Sequence, residues 1–162
     1  MGCGKTATGR ALAKELNYRF IDTDNLIEQQ NGMTVANIFA QKSEAFFRQQ
    51  ETDLLKQLHG ADNSVIATGG GIVLSEENRV LLKNLGTVVY LKAAPEELYK
   101  RLNNDNTRPL LNKNTNKLTE IKKLLKLRQP LYKSAAAYTM ETLTGQPEIT
   151  AREIRKKIEK GV

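Results

Sequence analysis

The chain is short of several things, and each shortage removes a class of protein. A single cysteine, Cys3, cannot close an internal disulfide, which fits a reducing cytoplasm. No run of ~18 apolar residues is present, so no segment reads as a membrane-crossing helix. No apolar h-region of a secretory leader is visible at the N-terminus. Internal repeats and low-complexity tracts are absent. The one histidine, His59, falls at a predicted helix end, where it suits the dipole better than catalysis. Aromatics are sparse at 6%, and only Tyr132 interrupts the basic segment. That segment (Lys100, Arg101, Arg108, Lys113, Lys117, Lys122, Lys123, Lys126, Arg128 and Lys133 against Asp105 and Glu120) carries much of the net charge of +7. Without interleaved aromatics it is read as a solvated basic face plus arginines serving a small anion, in preference to a nucleic-acid surface.

What is present suits one compact domain over residues 1–162, with 40% hydrophobic residues for a core. Gly2-Cys3-Gly4-Lys5-Thr6 is the end of the phosphate-loop pattern G-x-x-x-x-G-K-S/T. Backbone N–H groups in such a turn form an anion nest, and the following helix adds the positive end of its dipole. Lys5 reaches the β- and γ-phosphates of a nucleotide, and the Thr6 hydroxyl suits Mg²⁺. Counting back, the first Gly of the pattern falls before Met1, as does the strand that normally feeds the loop. Met1 is therefore read as an internal methionine of a longer protein.

Strand signals fall at 19–23, 64–68, 87–92 and 138–141, and helical signals at about 5–16, 34–41, 44–59, 76–84, 95–103, 118–129 and 148–160. The alternation predicts a parallel sheet covered on both faces, with ligands at the carboxyl ends of its strands. Two groups follow strands there. Asp22-Thr23-Asp24 places two carboxylates on one face if the chain stays extended; alternatively they cap a helix before Asn25. Gly69-Gly70-Gly71 suits a ligand approaching the backbone closely.

Glu51 shares a helix face with Phe47, Leu54 and Leu58, three residues from Arg48, so it either forms a structural ion pair or orients that arginine toward an anion. Arg128 extends the apolar stripe of Leu118, Ile121, Leu124 and Leu125, just before Pro130, which is expected to end the helix. An arginine on that buried face needs an anion, and its planar guanidinium suits a carboxylate. The polar segment 103–116 reads as a lid, with Arg108 able to close over transferring phosphates.

G-x-G-K-T, D-T-D, F-F-R-x-x-E, T-G-G-G, D-N-T-R-P-L-L and R-x-P-L-Y occur in this order, and the set resembles the shikimate kinase family. The resemblance implies a three-layer α/β/α P-loop kinase fold with sheet order 2-3-1-4-5, its first strand absent from this chain. It implies one domain with substrate-binding helices at about 24–60 and a lid at about 103–117. The implied reaction is phosphorylation of the 3-hydroxyl of shikimate by MgATP, in a cytoplasmic monomer with no nucleic-acid or membrane partner. Gly2, Cys3, Gly4, Lys5, Thr6 and Ala7 would hold the nucleotide with Arg108, Arg101 and Pro147, the last two beside the adenine. Thr6 and Asp22 would serve the metal. Asp24 would accept the proton, and Lys5, Asp24 and Arg108 would be catalytic. Arg48 and Arg128 would clamp the substrate carboxylate, with Glu51 orienting Arg48, Phe39 and Phe47 walling the pocket, and Gly69, Gly70 and Gly71 lining it. The alternatives are another small-metabolite kinase of this fold, such as a gluconate kinase, or an inactive nucleotide-binding fragment.

Overall fold

Short polar side chains set where the helices begin. Ser43 Oγ accepts from the Phe46 N–H at 3.1 Å, Ser75 Oγ from Asn78 at 3.3 Å and Thr34 Oγ1 from Asn37 at 3.3 Å. Each such cap satisfies a helix N–H that has no partner within the helix, worth ~1 kcal/mol. The computed structural model describes residues 2–102, 116–142 and 145–161. Its elements run α1 (Lys5–Leu16), β1 (Arg19–Asp22), α2 (Thr23–Asn31), α3 (Val35–Gln41), α4 (Glu44–Gln57), β2 (Ser64–Ala67), a 3₁₀ turn (Ile72–Leu74), α5 (Glu76–Leu85), β3 (Val89–Lys92), α6 (Pro95–Leu102), α7 (Lys117–Ala135), β4 (Tyr138–Glu141) and α8 (Pro147–Glu159).

All strand pairing is parallel, as the alternation of elements predicts. β1 pairs with β2, Arg19 facing Ser64 and Asp22 facing Ala67. β3 pairs with β4, Val89 facing Tyr138 and Lys92 facing Glu141. Leu12 of α1 and Ala151 and Ile154 of α8 pack on Val65, Val89, Leu91 and Met140. Leu55, Ile72, Val73, Leu82 and Ala135 form a second core cluster, joined by Val88 and Leu131. A third cluster, Ile27, Ile38, Phe47 and Leu54, ties α2, α3 and α4 together. The result is the three-layer α/β/α arrangement.

The two strand pairs are separate two-stranded sheets among the described residues. In the order 2-3-1-4-5, β1 and β2 take places 2 and 3, and β3 and β4 take places 4 and 5. Place 1 falls between β2 and β3. A cavity of about 220 Å³ lies there, lined by Ile66, Val73, Val89, Leu91, Leu98 and Tyr132 among others. Consecutive residues from Thr87 to Leu91 border it. Alternate residues would mark a strand face; consecutive ones mark an edge with its backbone groups.

One alternative left open is decided and one expectation is corrected. The chain does not stay extended to Asp24: β1 ends at Asp22, which caps α2. Pro130 does not end its helix, since α7 runs on to Ala135 with the proline inside. Proline deprives the carbonyl four residues back of its N–H partner. That residue, Lys126, and Pro130 itself are both exposed, so the orphaned carbonyl faces water. The apolar stripe on the opposite side continues without interruption.

An N-terminal extension able to form a strand between β2 and β3 is expected to raise the thermal midpoint by at least ~5 °C, since it pairs two open edges at ~0.5–1.5 kcal/mol per net hydrogen bond. Scanning calorimetry reads this directly, and an unchanged midpoint contradicts the open-edge account.

Candidate active site

The phosphate loop depends on left-handed backbone at Gly2 (φ 61°) and Gly4 (φ 81°), a region that side chains disfavour. Gly4 caps α1, and its carbonyl accepts from the Thr8 N–H at 2.9 Å. Lys5, Thr6 and Ala7 form the first turn. Arg101, at the end of α6, donates from Nη1 to the Gly2 carbonyl at 3.1 Å and braces the loop from below. Cys3 is buried among Leu98, Leu102 and Ile121. Burial pushes its thiol up, but Lys5 first, then the N-terminal charge, a backbone hydrogen bond and Arg101, bring it below the ordinary value overall. Lys5 Nζ lies 3.9 Å from its Sγ.

Asp22 joins the loop to the rest of the site. Its Oδ2 accepts from Thr6 Oγ1 at 3.0 Å. Its Oδ1 accepts from the N–H groups of Asp24 at 3.1 Å and Asn25 at 3.4 Å. One carboxylate thus caps α2 and contacts the loop hydroxyl. A hydroxyl and a carboxylate side by side are hard oxygen donors. Among the described residues no group of three or more His, Cys, Asp or Glu could hold a metal.

Arg48 sits between two carboxylates. Its Nη1 donates to Glu51 at 2.7 Å, and its Nη2 and Nε donate to Glu44 at 2.8 and 3.2 Å. Its guanidinium lies over Phe39 and Phe47, 5.8 and 5.5 Å from their ring centres. The rings themselves are 5.1 Å apart. Burial opposes the charge on Arg48, but the two carboxylates raise its pKa overall. Glu51 is only 1% exposed, and its Oε1 has no hydrogen-bond partner among the described residues. Burial pushes its carboxyl above the usual range; Arg48 pulls it down only in part, and Asp24 adds to the rise.

Arg128 is 6% exposed and makes no ion pair among the described residues. Its Nη1 approaches the Gly70 carbonyl at 3.5 Å, and its buried Nε has no acceptor among the described residues. The glycine triplet lies between the two arginines. Thr23 Oγ1 accepts from the Gly69 N–H at 3.3 Å. A Cβ on Gly69 would stand 2.6 Å from Asp24 Oδ1 and 2.9 Å from Glu51 Oε1. One on Gly71 would overlap the Arg48 guanidinium. Two of the three glycines therefore make room for the protein's own charged side chains, where close approach by a ligand is the expectation from sequence. The N–H groups of Gly70 and Gly71 have no acceptor among the described residues.

Most residues expected from sequence meet at the carboxyl ends of β1 and β2. Pro147 opens α8. Arg108 and nearly all of the expected lid lie outside the described residues. Three partners escape the sequence reading. Glu44 is one turn before Arg48, a spacing that could have marked it. Thr23 and Tyr132 stand in the D-T-D and R-x-P-L-Y motifs, but their contacts with the glycine triplet, made from distant segments, carry no local signal.

Phosphate-binding and anion-binding groups thus share one end of a parallel sheet, linked through Asp22 to Asp24, and this combination defines a P-loop kinase of small metabolites. The shikimate kinase family model matches residues 1–159, and the chain belongs to that family. It is 44% identical over 142 residues to the shikimate kinase of Neisseria gonorrhoeae, covering 88% of this chain and 83% of the relative. It is 42% identical over 154 residues to that of Caldicellulosiruptor bescii, covering 95% and 88%. The structure of shikimate kinase from Acinetobacter baumannii in complex with shikimate matches with a TM-score of 0.95 at 40% identity, over 99% of this chain and 89% of that one. The enzyme from Aquifex aeolicus matches with a TM-score of 0.83 at 34% identity, over 98% and 92%.

The raised pKa of Glu51 has a signed consequence. The folded state holds its proton more tightly than the unfolded chain does. The resulting stability is present in full below the ordinary value of 4.5 and is lost as pH rises through the raised value. Without ligand, the thermal midpoint of Glu51→Gln is expected to fall less than that of the parent over this window. Parallel pH profiles from scanning fluorimetry would contradict it.

Proposed function

We propose that the chain transfers the γ-phosphoryl group of ATP to the 3-hydroxyl of shikimate, giving shikimate 3-phosphate and ADP. The observation that carries this reading is the buried Arg128, without a carboxylate partner among the described residues, facing Gly70. A guanidinium desolvated in this way calls for an anion. Arg48 abuts Gly71 nearby, so a substrate carboxylate can be gripped from two sides.

The roles follow from position. Lys5 and the N–H groups of Gly2 to Ala7 hold the phosphates. Thr6 and Asp22 would hold Mg²⁺, which when bound would neutralise phosphate charge. Phe39 and Phe47 wall the substrate pocket, and Glu51 keeps Arg48 extended across it. The hydroxyl of shikimate attacks the γ-phosphorus in line as the bond to the β-phosphate oxygen breaks, and its proton passes to the Asp24 carboxylate. ADP leaves with the β-phosphate oxygen charged. Positioning and charge neutralisation supply most of the catalysis. Arg108 would close over the phosphates, and Arg101 and Pro147 would border the adenine. The enzyme acts as a cytoplasmic monomer of one domain, residues 1–162, and no helix among the described residues is long and apolar enough to cross a membrane.

A coupled ADP-release assay tests the reaction. Release should depend on shikimate and not occur with gluconate. Asp24→Asn should lower kcat by ~10² or more while ATP binding is unchanged. Equal rates with gluconate sink the substrate assignment, and preserved turnover in the variant removes Asp24 from the proton-accepting role.

A further inference from the structure

Tyr132 belongs to none of the roles above, yet it makes a short contact into the site. Its hydroxyl donates to the Gly70 carbonyl at 2.6 Å, across 62 residues of chain. Its ring stacks on Tyr90 of β3, with centroids 4.9 Å apart and planes 24° from parallel. Tyr132 is one helical turn beyond Arg128, so both side chains leave the same face of α7. Both also address the same oxygen, but Arg128 Nη1 does so at 3.5 Å, the outer limit of a hydrogen bond. The carbonyl is thus held by the tyrosine, and the guanidinium keeps its donors for something else.

We infer that Tyr132 is a positioning residue for the substrate carboxylate, a role that rests on the reading of the site as a shikimate pocket. It acts in two ways. It takes up one lone pair of the Gly70 carbonyl in a short bond, which weakens that oxygen's pull on Arg128 and so its competition with the carboxylate for the same N–H groups. It also fixes the peptide plane between Gly70 and Gly71. Because that plane is rigid and trans, holding the oxygen sets the direction of the Gly71 N–H, which has no acceptor among the described residues. The stacking on Tyr90 fixes the phenol, and so β3 reaches the substrate site through two rings and one hydrogen bond.

The test is steady-state kinetics of Tyr132→Phe, which keeps the stacked ring and removes only the hydroxyl. The KM for shikimate should rise about tenfold, equivalent to ~1.4 kcal/mol, with kcat and the KM for ATP within about twofold of the parent. Tyr90→Phe, which retains its ring, should leave all three constants unchanged. A fall in kcat with shikimate KM unchanged overturns the proposal, as does an equal rise in both KM values, which general loosening would produce. If the parent chain itself shows no shikimate-dependent ADP release, the substrate reading fails instead. If the parent is active and Tyr132→Phe matches it, only the tyrosine role fails. Thermal melts of both variants establish that they fold, and a lowered midpoint with unchanged KM also rejects positioning.

Discussion

The parallel pairing of β1 with β2 is the constraint on which the site depends. Its register sets Asp22 opposite Ala67, so both strands end at the same level. Everything that follows each strand is then delivered to one place: the aspartates and α2 from the first, the glycine triplet from the second. A slip of β1 by one residue would turn that strand over and send Asp22 to the opposite face. The contact between Thr23 Oγ1 and the Gly69 N–H stitches the two segments just past the strands. Four residues of pairing thus decide whether the phosphate loop and the anion pocket face each other.

Charge is then arranged in a small volume with few neutral alternatives. Arg48, Glu44, Glu51, Asp24 and Arg128 gather around three glycines, and a Cβ on Gly69 or Gly71 would strike a carboxylate or the Arg48 guanidinium. Burying such a group is costly unless each charge finds partners. Arg48 is satisfied twice over; Glu51 is satisfied at one oxygen only, and Arg128 by a single long contact. The unsatisfied positions are where a substrate bearing both hydroxyls and a carboxylate would complete the network. The same incompleteness makes the pocket unfavourable when empty, which is the state a binding site improves upon.

Much of this was legible in the chain itself. Gly4-Lys5-Thr6, the helix after it and the four strands follow from local pattern, because loop chemistry and β-branched runs act over a few residues. Arg128 stood out because an arginine on an apolar stripe is locally anomalous. What escaped depends on tertiary contacts. The capping role of Asp22 competes with an extended alternative that sequence leaves equally open, and packing of Ile27 into the α2–α4 cluster favours the helix. Pro130 signals a stop, yet one exposed carbonyl costs little beside the apolar face that α7 buries by continuing. Tyr132 ends the R-x-P-L-Y motif, but its contact with Gly70 became visible only once that continuation placed it a turn beyond Arg128. The division of the described strands into two pairs is not local either, and the inner edges meet the site at Gly70 and Tyr132.

The central claim is that buried Arg128 at Gly70 and half-buried Arg48 at Gly71 form a carboxylate clamp. Calorimetric titration of the chain with shikimate and with its methyl ester tests it most directly. Two charge-assisted contacts are worth ~1.5–3 kcal/mol each, so the ester should bind at least ~10²-fold more weakly, and Arg128→Met should lose most of that discrimination. Equal affinity for acid and ester would contradict the account.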